Sequence, residues 1–132
     1  MDRLKLALIF LLAISVAPLA ACKTLASTYY EGAYYWDVEE EALVLCGSDR
    51  VYWLEGRNGV LQPAREMVEK LRRESGKQEV PLFVRVMAVD KGPAEDGFAM
   101  DYDAVLEVAS IEVVSADLPA TCAVRPPHGA PR

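Results

Sequence analysis

Apolar and polar residues alternate along much of this chain, and the period of two predicts a mainly β protein. Residues 30–38 show it first, with one phase taken by Tyr30, Gly32, Tyr34, Trp36 and Val38. Alternation of this kind is typical of a half-buried strand. Further strands are predicted over residues 42–46, 50–54, 80–89 and 104–114.

The last predicted strand contains a break in its phase. Its apolar positions run through Leu106 and Val108 and then resume at Ile111 and Val113. The slip near Ala109–Ser110 indicates a bulge or bend, because one extra residue moves the following side chains to the other face.

One helix is predicted between the third and fourth strands. Pro63 suits the first helical position, where its missing N–H costs nothing. Gly76 suits the residue after the last turn, since glycine readily adopts a left-handed conformation. The residues between them place an apolar stripe on one helical face, formed by Leu61, Ala64, Met67, Val68 and Leu71.

The element order is therefore three strands, one helix and two strands, which predicts a small five-stranded OB-like Greek-key barrel over residues 30–122. The alternative is an open α+β meander with the helix on one sheet face. The bend near Ala109–Ser110 favours the barrel, because strands must curve to close.

The N-terminal residues have the layout of a secretory signal. Arg3 and Lys5 precede an uncharged apolar run over residues 6–17, and small residues follow. This run is shorter than the roughly 20 residues that a membrane-spanning helix needs, and Pro18 follows it. We expect residues 1–21 to be a signal peptide.

The residues Leu19-Ala20-Ala21-Cys22 resemble a bacterial lipobox. The resemblance implies cleavage between Ala21 and Cys22, and a covalent diacylglyceryl and fatty-acyl anchor, such as palmitate, on Cys22. We expect residues 22–29 to be a lipidated tether, and Lys23 after the cysteine favours the outer membrane, on its periplasmic face. No other cofactor is expected.

Removal of the signal changes the net charge from −6 to −7 and leaves a length typical of one domain. This charge argues against nucleic acid as a partner, because phosphate recognition needs a basic surface. Residues 123–132, which include His128, are rich in proline and glycine, and we expect a disordered tail there.

Cys46 and Cys122 remain once Cys22 carries lipid. The secretory signal predicts an oxidising compartment, which favours a disulfide between them. Two free thiols or a two-cysteine metal site are the alternatives, and neither cysteine has a histidine or another cysteine near it in sequence. No metal site is predicted.

The region from residue 30 to Cys122 resembles the C-terminal OB-like domain of the NlpE family, outer-membrane lipoproteins of envelope stress and copper tolerance. The matching features are Gly32-Ala33-Tyr34, Cys46, Tyr52-Trp53, the helix, the segment from Pro81 to Val86 and Cys122. The family's N-terminal barrel with its Cys-x-x-Cys motif is missing, so copper handling is not implied. The resemblance implies the fold, the disulfide and the envelope location.

No residue pattern in the sequence predicts catalysis, and we expect a protein that is not an enzyme. Ser48 lacks a nucleophile-elbow context. The aspartates at 96, 101 and 103 lack the ligand order of a calcium loop and are interpreted as a solvated acidic loop. The triplet Glu39-Glu40-Glu41 is interpreted as a solvated turn.

Aromatic residues cluster on the first three predicted strands. OB folds use such surfaces to bind oligonucleotides or oligosaccharides, although many of these side chains must also fill the barrel. Tyr35, Tyr52 and Trp53 are the predicted binding surface. The expected function is protein binding or sensing of envelope state by a lipid-anchored module with an envelope protein partner. The alternative is a periplasmic inhibitor of a cell-wall hydrolase such as lysozyme.

Overall fold

The computed structural model describes residues 25–122, which form a β-barrel with one α-helix and one short 3-10 helix. Cys22, the expected signal peptide and the expected tail over residues 123–132 lie outside the described residues. The elements in chain order are β1 (Ser27–Asp37), β2 (Glu40–Leu45), β3 (Val51–Gly56), α1 (Gln62–Ser75), β4 (Leu82–Asp90), the 3-10 helix (Phe98–Asp101) and β5 (Ala104–Ser115). Neither of these helices is long and apolar enough to cross a bilayer.

The five strands close in the order β1-β2-β3-β5-β4, with β4 returning to β1. The β3–β5 pair is parallel, and the other four neighbouring pairs are antiparallel. This order, with α1 between β3 and β4, confirms the predicted OB-like barrel and rules out the open meander.

Closure depends on β1, which pairs with β4 over residues 27–34 and with β2 over residues 32–37. Gly32 lies where the two pairings overlap. A Cβ atom there would lie 2.4 Å from the carbonyl oxygen of Val44 and 2.9 Å from the Leu43 side chain. Only glycine therefore allows β1 to approach β2 so closely at this point.

The predicted irregularity in β5 is a register shift in its pairing with β4. Val108 pairs with Ala88, but Ser110 pairs with Met87, so Ala109 is the extra residue of a bulge. The bulge returns the residues that follow it to the barrel interior, where Ile111 packs against the core.

The barrel interior holds the apolar phases that the sequence predicted on β1 and β5, together with alternate residues of β4. Tyr34, Leu82 and Leu106 are completely buried there. Helix α1 adds Ala64 and Val68 to the same core. Gly76 ends the helix in the left-handed conformation that was predicted for it.

Three expectations about β1 and β2 need correction. Strand β1 begins at Ser27, inside the expected tether, because residues 27–29 already pair with β4. Val38 is 92% exposed, since β1 ends before it. Glu40 and Glu41 are buried strand residues instead of a solvated turn.

The disulfide between Cys46 and Cys122 is present, as predicted. It fixes the segment after β5 against the barrel, and the Gly47 N–H donates to the Thr121 carbonyl at 2.9 Å. Leu118 from this segment packs against a small cluster on the outer phase of β1 and β2, formed by Ala33, Tyr35 and Val44. The bridge thereby keeps that second apolar cluster covered.

Candidate functional site

A groove of about 560 Å³ opens between the turn that joins β1 to β2 and the long loop that joins β4 to β5. Strand β3 and helix α1 also contribute to its wall. We call it the main groove. Its apolar lining residues are Trp36, Val38, Trp53 and Phe98.

Two of these apolar residues project into solvent and two are held in place. Val38 and Phe98 are 92% and 67% exposed. The Trp53 ring packs edge-on against Tyr102, with ring centroids 5.2 Å apart. Trp36 lies under the Arg72 guanidinium, whose Cζ is 5.5 Å from the ring centroid. The main groove therefore has a fixed aromatic floor and exposed apolar rims.

The best-defined polar group in the main groove is the Glu41 carboxylate, whose side chain is only 9% exposed. The Tyr34 hydroxyl donates to its Oε1 at 2.5 Å, and Arg65 Nε donates to the same oxygen at 3.0 Å. Arg65 Nη2 donates to Oε2, which makes the ion pair bidentate. Three donors therefore compensate the burial of this charge.

Glu40, the preceding residue, points to the opposite side of β2 and is also buried. The Tyr102 hydroxyl donates to its Oε1, and Tyr102 lies two residues before β5. Each of the two buried carboxylates is therefore matched with a tyrosine from another part of the barrel. This pairing explains how adjacent acidic residues can occupy a buried strand position.

Burial and these carboxylates change the acidity of both tyrosines. Burial raises the pKa of Tyr34 well above its ordinary value, and the hydrogen bond to Glu41 raises it further. Burial likewise raises the pKa of Tyr102, and its bond to Glu40 adds to the effect. Both phenols therefore remain protonated donors throughout the physiological pH range.

The main groove continues along β3 into a second depression of about 430 Å³, which we call the β3 extension. The two share Glu41, Trp53 and Arg65 in their lining. The extension adds an ion pair across its wall, in which Arg57 Nη2 lies 3.2 Å from Glu107 Oε2.

A smaller pocket of about 160 Å³ lies on the other side of the β1–β2 turn and is lined in part by Tyr35, Arg72 and Glu79. The Tyr35 hydroxyl is buried and has no hydrogen-bond partner within residues 25–122. Burial raises the pKa of Tyr35, and the Glu79 carboxylate adds to that shift. Arg72 is engaged there by two carbonyl oxygens, those of Trp36 and Gln78.

The predicted binding surface does not form as one exposed surface. Tyr35 is 6% exposed and Tyr52 is 3% exposed, so both serve mainly in packing. Tyr52 lies in the barrel core beside Tyr30, and Tyr35 lies under Leu118. Trp53 alone of the three lines the main groove.

The other residues considered from sequence have local roles or lie outside the described part. Ala21, Cys22 and His128 lie outside the described residues. The Asp103 carboxylate accepts the Val51 N–H at 2.8 Å and so helps to place β5 beside β3. Ser48 Oγ accepts the Arg50 N–H within the β2–β3 turn. Among residues 25–122, no group of three or more His, Cys, Asp or Glu side chains is arranged to hold a metal ion.

The sequence did not predict the roles of Phe98, Glu40 and Glu41. Phe98 lies in a loop whose path depends on barrel closure, so no local pattern reports its position. Glu41 is two residues before the core residue Leu43 and shares its phase, which is the one signal in the sequence that it faces inward.

Replacing Arg65 by glutamine should lower the free energy of unfolding by about 2–3 kcal/mol, because it leaves the buried Glu41 carboxylate without its cation. The matched control is Arg57→Gln. Its ion pair with Glu107 is 81% and 34% exposed, so that change should cost less than about 1 kcal/mol. Urea unfolding at neutral pH measures both. Equal losses in the two variants would contradict the structural role given to Glu41.

The stability of the protein should fall as the pH rises above about 10, and the largest contributions come from the raised pKa of Tyr34 and Tyr102. Both tyrosines would ionise near pH 10 in the unfolded chain but stay protonated in the folded protein. Above this pH the unfolded state binds fewer protons, so unfolding becomes easier, by up to about 1.4 kcal/mol per pH unit for each tyrosine. Below it, this contribution is fully present.

Urea unfolding at a series of pH values between about 8 and 11.5 measures the slope. Tyr34→Phe removes one of the tyrosines with a strongly raised pKa and should make the decline less steep, although it also lowers stability at pH 7 through loss of the bond to Glu41. A decline of unchanged steepness in Tyr34→Phe would show that this phenol does not contribute.

Comparison of the chain with models of protein families, with curated proteins and with solved structures finds no match. The resemblance to the NlpE C-terminal domain therefore rests on the residues alone and stays a prediction. The barrel and its groove are established by the geometry described above.

Proposed function

We propose that this chain is a lipid-anchored, non-enzymatic module of the bacterial envelope that binds a protein partner through the main groove. Cys22 carries the anchor, and the module resides on the periplasmic face of the outer membrane. In this proposal it reports envelope state or holds a partner there, as the likeness to the NlpE C-terminal domain implies.

The main groove is the observation that carries the proposal. Its position between the β1–β2 turn, the β4–β5 loop and β3 is the position at which OB folds bind their ligands. Its exposed rim residues Val38 and Phe98 leave apolar surface in water, which favours a protein ligand. Tryptophan in the floor supports the same function, because this residue is enriched at the centres of protein interfaces.

The course of β1 supports the combination of anchor and groove. The strand begins at Ser27, five residues after Cys22, and ends at Asp37 beside the main groove. At about 3.3 Å per residue, its length separates the two ends by roughly 30 Å. A lipid on Cys22 would therefore leave the groove accessible at the far end of the barrel.

The second candidate function is inhibition of a cell-wall hydrolase, and the acidic lining of the groove favours it. Four carboxylates line the main groove, at Asp37, Glu39, Glu40 and Glu41, against the single guanidinium of Arg65. Hydrolases of the cell wall are often basic, and complementary charge speeds association. Both candidates use the same surface and differ in the identity of the partner.

Replacing Cys22 by serine should release the protein from the membrane fraction, because the sulfur that would carry the lipid is removed. The variant should also remain uncleaved after Ala21. Fractionation of cells followed by mass spectrometry of the N-terminus measures both properties. A variant that still sediments with membranes and is still cut would contradict the anchor.

Crosslinking and affinity capture from envelope membranes should recover a partner with the unaltered protein and lose most of it with Val38→Ala/Phe98→Ala. These two side chains form the exposed rim, and their removal deletes contact area without touching the core. Mass spectrometry identifies the captured protein. A basic hydrolase among the rim-dependent partners would select the second candidate function.

The matched control is Tyr29→Ala/Val114→Ala, which removes an exposed aromatic and an exposed valine that do not line the groove. This variant should capture as much partner as the unaltered protein. Equal capture by the rim variant and the control would contradict binding through the main groove.

A further inference from the structure

The main groove and its β3 extension form one continuous elongated groove, which we call the lane. They share three lining residues, and the extension follows β3 from Trp53 to Gly56 and continues to Arg57. Four residues of strand span about 13 Å, and the main groove adds the width between the two loops. A lane of this form suits an extended stretch of chain better than a compact small molecule.

The lane is strongly acidic. The two arginines in its lining, Arg57 and Arg65, each form an ion pair with a carboxylate of the same lining. Lysine is missing from the lining described for both depressions. The carboxylates outnumber the guanidinium groups by six to two, and they belong to Asp37, Glu39, Glu40, Glu41, Glu55 and Glu107.

Aromatic rings stand beside these carboxylates. Trp36, Trp53 and Phe98 line the main groove. A guanidinium can stack on a ring while its N–H groups bond a carboxylate, which an ammonium cannot do as well. This protein already places guanidinium groups over aromatic rings, with Arg72 over Trp36 and Arg50 over Tyr52 at 5.5 and 5.2 Å.

We propose that the lane binds an extended, arginine-bearing segment of the partner, with a guanidinium seated between Trp53 and the carboxylates of the β1–β2 turn. The inference rests on the proposed protein-binding function and specifies the chemistry of the ligand. Asp37 and Glu39, both exposed on that turn, make the first contacts with the arriving cation.

Other ligand classes fit the lane less well. The carboxylates repel nucleic acid and acidic peptides. A neutral glycan could stack on the tryptophans, but it would leave the excess of negative charge uncompensated. Charge complementarity therefore favours the basic segment, and a glycan becomes an outcome that the experiment can detect.

The two tryptophans of the chain provide the readout, because both line the main groove. The probe is a capped synthetic peptide of alternating arginine and serine, added to the mature chain carrying Cys22→Ser. The indole N–H signals of the protein should shift in NMR spectra at low salt, and the shift should saturate as peptide is added. A lysine peptide of equal length should bind several-fold more weakly, since lysine cannot stack and form paired bonds in the same way.

The decisive variant is Asp37→Asn/Glu39→Gln, which removes two charges from the turn. The Val38 N–H donates to Asp37 Oδ1 at 2.7 Å, and asparagine keeps that acceptor. We expect the dissociation constant for the arginine peptide to rise about tenfold. The matched control, Asp49→Asn/Glu112→Gln, changes net charge equally at exposed residues that do not line the lane. It should change the constant less than about twofold.

Four results would overturn the inference. They are the absence of a saturable shift with the arginine peptide, equal effects of the two double variants, saturable shifts with a matched glutamate peptide, and shifts with a neutral chito-oligosaccharide instead of the arginine peptide. If Val38→Ala/Phe98→Ala abolishes capture of the partner while Asp37→Asn/Glu39→Gln leaves it unchanged, the proposed function stands and the basic segment is rejected. If neither affects capture, the proposed function fails as well.

Discussion

The buried Glu41 carboxylate is the interaction on which the rest of this structure depends. It accepts from Tyr34 on β1 and from Arg65 on α1, while its own backbone pairs with Trp36 in the β1–β2 ladder. Two strands and the helix therefore meet at one charged group. Since an unpaired carboxylate at this depth would be strongly unfavourable, its three donors specify how α1 sits against the open end of the barrel.

Barrel closure then determines where the groove lies. The β1–β2 turn and the β4–β5 loop are distant in sequence, but β1 pairs with both β2 and β4. That double pairing needs Gly32, where any side chain would meet the Val44 carbonyl. The groove is thus a consequence of one glycine in β1 and of the bulge at Ala109 in β5, because both let strands bend enough to close.

Local sequence patterns predicted the parts of this fold that are governed by local physics. The period-two phase of β1, the bulge after Val108 and the Gly76 cap each follow from a residue's own neighbours. The burial of Glu40 and Glu41 does not, because it depends on tyrosines and an arginine that only closure brings near. The burial of Tyr35 could not be predicted locally either. Its position on the outer phase of β1 is clear from the sequence, but Leu118, which packs over its cluster, belongs to the segment that the disulfide fixes.

The buried acids also connect stability with the proposed recognition of a basic segment. Glu41 and Glu40 are each bound by donors of this chain, but Arg65 offsets the charge of Glu41, whereas the neutral Tyr102 hydroxyl does not itself offset the charge of Glu40. Asp37 and Glu39 are exposed at the β1–β2 turn beside Trp36, where an arriving cation can reach their carboxylates. A preorganised field beneath an accessible pair favours affinity, because little reorganisation is needed when the partner binds. Glu40 and the exposed pair therefore add to the negative potential of the groove, on which the proposed recognition of a basic segment depends.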